Sequence, residues 1–470
     1  MALTKATYSM INSAPISVLD YGAVGDGVAD DTSAIQAAIT AGVVNKQIVY
    51  FPAGVYLVTD TINLPIGAQL LGETGYQLVR GFGVAPQATT IEFQPTTLKS
   101  LFVCSGTSYS NFRFHYSIQG FYIRGNSTDA SGNSLYALDL DGSIYARYEN
   151  IGIEQFRTGI HCNRTINNRF CNVYSKGTVQ AVLYAGNSET TDVWDQCSFW
   201  GSPIGVQTTG SSIGVRFTDC LFEQLDTYGV NLTKETQNFM FVSCYSEDVC
   251  YDGDANSSMF RVGFDGTTPA GSTQLTVIGG VYAGRNAGAV GAFVTCDEIN
   301  GVVIDAPSVA RFTTGVLTSV NTLTDQVVLG TFTAQSLTTV ISDPTKISGV
   351  YPSAVFNAAT RNSQRAKLDA LICDSLRANT TNTGTITLSC NNVQLGASAG
   401  YVAPNTDDTQ TLGLENLRWS NVVSSKLTLT DGVTAPAAVS GMAQIYVDLA
   451  DGDLKIIFGD GTVKTIVTDS

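Results

Sequence analysis

Charge is scarce in this chain of 470 residues: Asp, Glu, Lys and Arg together make up 14%, and histidine occurs twice. The few charges lean one way, 25 Lys and Arg against 40 Asp and Glu, a formal net charge of −15. That balance excludes a nucleic-acid surface, which needs clustered cations. No apolar run approaches the roughly 18–20 residues of a membrane-spanning helix, so membrane insertion is not expected. The start "MALTKATYSMINSAP" lacks the basic segment and apolar stretch of a secretory signal. The ten cysteines include no C-x-x-C pair, which speaks against a zinc site and calls for no metal or other cofactor. They read as small buried hydrophobes rather than as a disulfide framework.

What is abundant is glycine, 46 residues, together with Thr, Ser, Asn and Val, while Glu/Lys/Leu-rich stretches are nearly absent. Strands and tight turns follow from this, not helices. Apolar residues reach 44%, enough for a large core, and the length is that of two or three domains.

The segment "FTDCLFEQLDTYGVNL" (217–232) repeats in outline. "FCNVYSKG" (170–177), "QCSFWGSP" (196–203), "DCLFEQLD" (219–226) and "SCYSEDVC" (243–250) share a frame led by Cys171, Cys197, Cys220 and Cys244, with "ENIGIEQF" (149–156) and "GGVYAGRN" (279–286) carrying Asn150 and Gly280 at that place. A period in the twenties built of β-branched and aromatic residues predicts a stack of short-stranded coils, a parallel β-helix. Alternation along the strand turns Cys220 and Phe222 inward and Glu223 outward. The odd spacing from Phe217 to Cys220 requires a turn at Thr218-Asp219. The alternative is a sandwich of unrelated Cys-containing strands.

Three residues beyond each key position the frame predicts an outward file: Ile153, Tyr174, Trp200, Glu223, Glu247, Ala283. Stacked about 4.8 Å apart, Glu223 and Glu247 form a carboxyl pair of the kind that cleaves glycosidic bonds, one protonated and one ionised. Asp248 follows as an auxiliary acid, and Trp200 and Tyr174, with Tyr245, offer flat faces to sugar rings. The alternative for the pair is two charged residues on an outer face. Asp195, Asp219, Asp226, Asp252 and Asp254 lie close in the same frame; Asp219, Asp252 and Asp254 read as solvated turn acids. A rival grouping of His161, Arg164, Arg169 and Tyr174 suits a lyase, which needs a base beside a uronic acid. The alternative for His161 is a satisfied structural histidine.

At the N-terminal end, "LDYGAVGDGVADDTSAIQAAI" (19–39) offers Asp30 or Asp31 as the cap of a helix with Ala34, Ile35, Ala38 and Ile39 as its apolar stripe. Followed by "VYFPAGVYLV" (49–58) and "LLGE" (70–73), it resembles the start of the pectate-lyase-like right-handed parallel β-helix of bacteriophage tailspikes and related polysaccharide-acting proteins. The resemblance covers roughly residues 14–350. It implies an all-β fold with an N-terminal helix cap, and it places Asp26, Asp30 and Asp31 in that cap rather than in a calcium or catalytic site. Beyond it, "RNSQRAKLDALICDSLRAN" (361–379) has helical spacing. The segments 405–429 and 441–467 resemble the C-terminal modules of phage tail fibres, the second with Asp-Gly turns at Asp451-Gly452 and Asp460-Gly461.

The organisation expected is a leader (1–17), the cap and first rungs (18–75), the β-helix body (76–355), a helical connector (356–382) and a β-rich trimerisation or tip module (383–470). The family implies a homotrimer in the virion, made in the cytoplasm of the host bacterium. The leader "MALTKATYSMI" would attach it to another tail or baseplate protein. The partner expected is a bacterial surface polysaccharide, hydrolysed at Glu223 and Glu247. A glycan-binding fibre without catalysis and a polysaccharide lyase centred on His161 and Arg169 are the alternatives.

Overall fold

The computed structural model describes residues 14–73, 88–104, 113–186, 189–233, 236–263, 274–296 and 301–318, shorter pieces between 327 and 350, and 432–468. The leader up to residue 13 and the helical connector (356–382) lie outside the described residues. The chain divides into two compact units, Met1–Leu376 and Arg377–Ser470.

The first unit is a right-handed parallel β-helix with three sheets. One turn runs through Val193–Asp195 in the first sheet, Ser198–Trp200 in the second and Ile204–Thr208 in the third. The next turn repeats it as Arg216–Thr218, Leu221–Glu223 and Tyr228–Leu232, and the one after as Phe239–Val242, Tyr245–Val249 and Ser258–Val262. Every strand pairs in parallel with its counterpart one turn on, for instance Val193 with Arg216 and Ile204 with Tyr228.

The corner between the first and second sheets explains the odd spacing in the sequence. Asn150, Asn172, Gln196, Asp219, Ser243 and Gly279 all adopt left-handed backbone there, with φ between 50° and 61°. This conformation reverses strand alternation once per turn, and Asn, Asp and Gly tolerate it best. The turn predicted at Thr218-Asp219 is therefore centred on Asp219. Behind the corner, Cys197, Cys220 and Cys244 form the expected inward file, each at most 1% exposed.

Cys171 is a correction. It pairs with Asp195, not with Cys197, and is only half-buried. The member of the file on its turn is Val173, and on the turn before it Ile151 rather than Asn150. The same displacement, by two positions, applies to Tyr174, which partners Ser198 and not Trp200.

The core is an aromatic column. Tyr148, Phe170, Trp194, Phe217 and Phe241 occupy one inward file of the first sheet, and successive rings stack with centroids 4.9, 3.8, 5.7 and 4.8 Å apart. Parallel register places like on like, so each ring buries its faces on its neighbours.

The N-terminal end carries the α-helix Thr32–Asn45, whose Ile35, Ala38 and Ile39 are fully buried. Asp30 Oδ1 accepts from Thr32 N at 3.0 Å. Asp31 is buried and accepts from the amides of Val24 and Gly25 at 2.6 and 3.1 Å. Asp26 accepts from Val28 N and Ala29 N, both at 2.9 Å. All three carboxylates are thus occupied by turn amides.

The described part of the second unit is an antiparallel sheet of Ala443–Val447, Leu454–Phe458 and Val463–Val467. Gly452 and Gly461 have φ of 72° and 83° at the predicted Asp-Gly turns.

Candidate functional site

The outward face of the second sheet carries one file of charged and aromatic side chains. It runs Glu92, Arg124, Glu154, Lys176, Trp200, Glu223, Glu247, with Glu92–Arg124–Glu154 and Trp200–Glu223–Glu247 in direct register and Lys176 following the Ser175–Phe199 pair between them. The members interlock from the N-terminal end. Arg124 bonds Glu92 through two nitrogens, at 2.5 and 3.0 Å. Glu154 accepts from the phenols of Tyr122 and Tyr174 at 2.8 and 3.1 Å. The Lys176 ammonium lies 4.5 Å from the Trp200 ring centroid, a cation–π contact that covers one ring face.

Glu223 and Glu247 follow on consecutive turns, both half-buried. Glu247 Oε2 accepts from the Tyr245 phenol at 2.9 Å. Burial and this acceptor together hold the Tyr245 phenol above its ordinary range. Directly after Trp200, Glu223 and Glu247 stand Gly201, Gln224 and Asp248, all left-handed, where the chain turns toward the third sheet. Asp248 Oδ1 accepts from Asn286 N at 2.6 Å, which ties its corner to the next turn.

Of the expected sugar platforms, Trp200 and Tyr245 are accessible, and Tyr245 is 40% exposed. Tyr174 is not: it is 8% exposed and its phenol is spent on Glu154. It stands in the neighbouring file of the same face, between Gly152 and Ser198.

Asp226 was named in the sequence frame without a role, and its surroundings now set it apart. It lies at the corner beyond Glu223, and Asp252 lies one turn further on, joined by Asp252 N to Asp226 O at 3.4 Å. Burial raises the Asp226 carboxyl above the usual range, Asp252 adds to this, and Lys176 opposes it. Asp252 itself accepts from Asp254 N at 3.1 Å and from Ser257 Oγ at 3.0 Å, so it braces its loop. The spacing of 26 residues between Asp226 and Asp252, close to the repeat, was the available signal.

The lyase grouping does not assemble. His161 faces outward on the third sheet, its Nδ1 2.8 Å from Asp139 Oδ1 and its ring stacked on Tyr136 at 4.3 Å. Arg164 lies beyond it on Asp141. Arg169 is on the first sheet, 3.1 Å from Asp195, and Tyr174 is on the second. Residues 161–174 span most of one turn of the coil, so neighbours in sequence point away from one another.

A coil of three parallel sheets, each strand paired with its counterpart one turn on, defines a parallel β-helix protein of the pectate-lyase-like class. The chain belongs to the rhamnogalacturonase A/epimerase, pectate lyase-like family, whose profile matches residues 15–257, just over half of its length. It is 40% identical over 81 residues to a glucan 1,3-beta-glucosidase of Cochliobolus carbonum, a stretch that is 17% of this chain and 10% of that one. The chain spans a tenth or less of the length of the curated relatives it matches. Among solved structures, it is similar to ORF18 of Geobacillus virus E2, with 17% identity, a TM-score of 0.49, and coverage of 97% of this chain and 86% of that one. A tailspike double mutant of E. coli bacteriophage HK620 gives 12% identity and a TM-score of 0.49, over 70% of this chain and 67% of that one.

Proposed function

We propose that this protein is a homotrimeric phage tailspike that binds a bacterial surface polysaccharide along the second sheet and hydrolyses it there. The observation that carries the reading is the placement of Trp200, Glu223 and Glu247 on three consecutive turns of one outward file. Two carboxyls one rung apart at the backbone, about 4.8 Å, reach either the spacing of a retaining glycosidase (about 5–5.5 Å) or that of an inverting one (roughly 6.5–9.5 Å) by rotamer choice. One glutamate protonates the glycosidic oxygen as the bond to the leaving sugar breaks. The other either attacks the anomeric carbon, forming a glycosyl-enzyme whose bond water then breaks with the first glutamate acting as base, or takes a proton from the water that attacks directly. Tyr245 holds Glu247 in place through its phenol, and the open face of Trp200 supports a sugar ring. Membership of a carbohydrate-active β-helix family supports the substrate class.

The product analysis of a polysaccharide digest tests this. Hydrolysis gives new reducing ends without ultraviolet absorbance, a lyase gives an unsaturated, absorbing sugar, and a pure adhesin leaves the polymer length unchanged. Either of the last two results rejects the proposal.

A further inference from the structure

Lys176 stands where it answers to two neighbours at once. It follows the Ser175–Phe199 register pair on the second sheet, one turn before Trp200, and its ammonium lies 4.5 Å from the centroid of that ring. Its path runs across Gly201. A Cβ built on Gly201 would stand 3.1 Å from Lys176 Cε and 3.2 Å from Nζ, and the backbone there is left-handed, φ 60°. Glycine at this corner therefore serves both the turn and the passage of the lysine. Glu154, the acid on the other side of Lys176, is occupied by the phenols of Tyr122 and Tyr174. Among the described residues the Lys176 ammonium makes no hydrogen bond and no ion pair, and the indole face is what holds it.

The second neighbour is Asp226. Its amide donates to Ser202 O at 3.1 Å, and Asp252 N donates to its carbonyl at 3.4 Å, so Ser202, Asp226 and Asp252 mark one corner on three successive turns. Lys176 crosses the first of these turns at Gly201, and its charge reaches the Asp226 carboxyl on the second. That carboxyl is half-buried and, among the described residues, accepts no hydrogen bond and joins no ion pair. Burial raises it above the usual carboxylate range, Asp252 adds to this, and Lys176 opposes it. The elements that meet here also carry Glu223, Glu247 and Asp248 on the second sheet and Asp254 in the loop that Asp252 braces. Their cations are engaged: the Arg285 guanidinium lies against Gly253, and that of Arg261 sits 5.4 Å from the Tyr228 ring.

We propose that Lys176 is a movable cover of Trp200: it rests on the ring while Asp226 holds its proton and swings to the Asp226 carboxylate when that proton leaves, which opens the covered face to a sugar as pH rises. The two resting places are close to balance. A cation on an indole face and a partly exposed ammonium–carboxylate pair are of comparable strength, so one charge on Asp226 decides between them. Protonated Asp226 offers the lysine no charge to leave for. Burial and the Asp252 charge delay the loss of the proton, which sets the opening above the range of an ordinary carboxylate. The swing breaks no covalent bond and exchanges only a proton with solvent. The freed face gives Trp200 two stacking surfaces in place of one and adds a ring position on the side away from Glu223. The sugar-binding consequence rests on the reading of Trp200 as a platform; the movement of the lysine does not depend on hydrolysis.

The movement is measured on the full chain without a substrate. The protein has three tryptophans, so the acrylamide quenching of Trp200 is obtained as the difference between the unaltered protein and Trp200→Phe, from about pH 4 to about pH 9. Quenching is expected to rise roughly twofold through a single transition, as a second ring face meets solvent. Lys176→Ala is expected to show the high-pH value throughout, and Asp226→Asn the low-pH value throughout. Asp252→Asn removes a like charge beside Asp226 and is expected to move the transition to lower pH. A Trp200 signal that is flat with pH overturns the proposal, and so does a transition that persists in Lys176→Ala or in Asp226→Asn. Circular dichroism checks the fold of each, and either variant decides by itself if the other misfolds. On a polysaccharide that the protein digests, KM is expected to fall as pH rises and to lose this dependence in Lys176→Ala; the same dependence in both overturns the regulatory role. Cleavage with a flat Trp200 signal sinks this inference alone, whereas the expected signal in a protein that cleaves no glycan sinks the hydrolytic reading and leaves the moving lysine in place.

Discussion

Glu223 and Glu247 are direct register partners on adjacent turns of the second sheet, and the Tyr245 phenol reaches Glu247 from two residues earlier on the same strand. No other pair of outward acids in the Glu92–Glu247 file occupies neighbouring turns, because Arg124 and Lys176 separate the earlier glutamates. This exception is what sets the pair apart from an ordinary charged surface.

Replacing either glutamate with glutamine removes an acid or base without changing side-chain volume. Each single variant is expected to lower the rate of polysaccharide cleavage by about 10²–10⁴-fold, and the double variant to abolish it, with the thermal midpoint unchanged. Reducing-end release and differential scanning calorimetry read the two quantities. Full activity in the double variant would remove this site from consideration.

Trp200→Ala acts on binding more than on chemistry. Loss of one stacking face, worth about 0.5–1.5 kcal/mol, is expected to raise KM roughly 2- to 12-fold while kcat changes less. Steady-state kinetics on size-fractionated glycan check this, and an equal fall in kcat with KM constant would assign Trp200 elsewhere.

Asp219→Gly and Asp219→Val separate a corner residue from a catalytic one. At φ 51° glycine is relaxed and valine is strained. The valine variant is expected to lose about 1–2 kcal/mol of stability, and the glycine variant to keep both stability and activity. An inactive, folded glycine variant would make Asp219 a participant in the reaction.

Asp192 gives the protein a pH-dependent stability. Burial pushes its carboxyl from 3.8 up to about 7, despite hydrogen bonds from Thr165 Oγ1 at 2.6 Å and Asn168 N at 2.9 Å. Glu189, also buried and raised, Tyr184 and Cys162 surround it, and none of them supplies positive charge. The folded state holds the proton between 3.8 and about 7 while the unfolded chain has released it. Stability from this group is therefore full below 3.8 and is lost as pH rises to about 7. Asp192→Asn is expected to flatten that slope, seen in urea midpoints compared at about pH 5 and about pH 8. A slope unchanged in the variant would place the dependence on other groups.

The amino-acid sequence by itself determined the repeat, the inward file of Cys197, Cys220 and Cys244, the corner at Asp219, the helix near the N-terminal end and the Asp-Gly turns. Each depends on local chemistry: β-branched and aromatic residues for strands, Asn, Asp and Gly for left-handed corners. The pairing of Glu223 with Glu247 was legible for the same reason, since both follow a cysteine at equal distance. Tertiary structure alone decided where Cys171 and Tyr174 fall, because Cys171 precedes its left-handed corner residue, Asn172, whereas Cys197 follows Gln196, so an alignment on the cysteines is out of register by two positions on that turn. It alone separated His161, Arg169 and Tyr174, which one turn of the coil distributes over three sheets. It alone raised Asp226 by burial and laid Lys176 over Trp200, for stacking brings together residues that no local pattern connects.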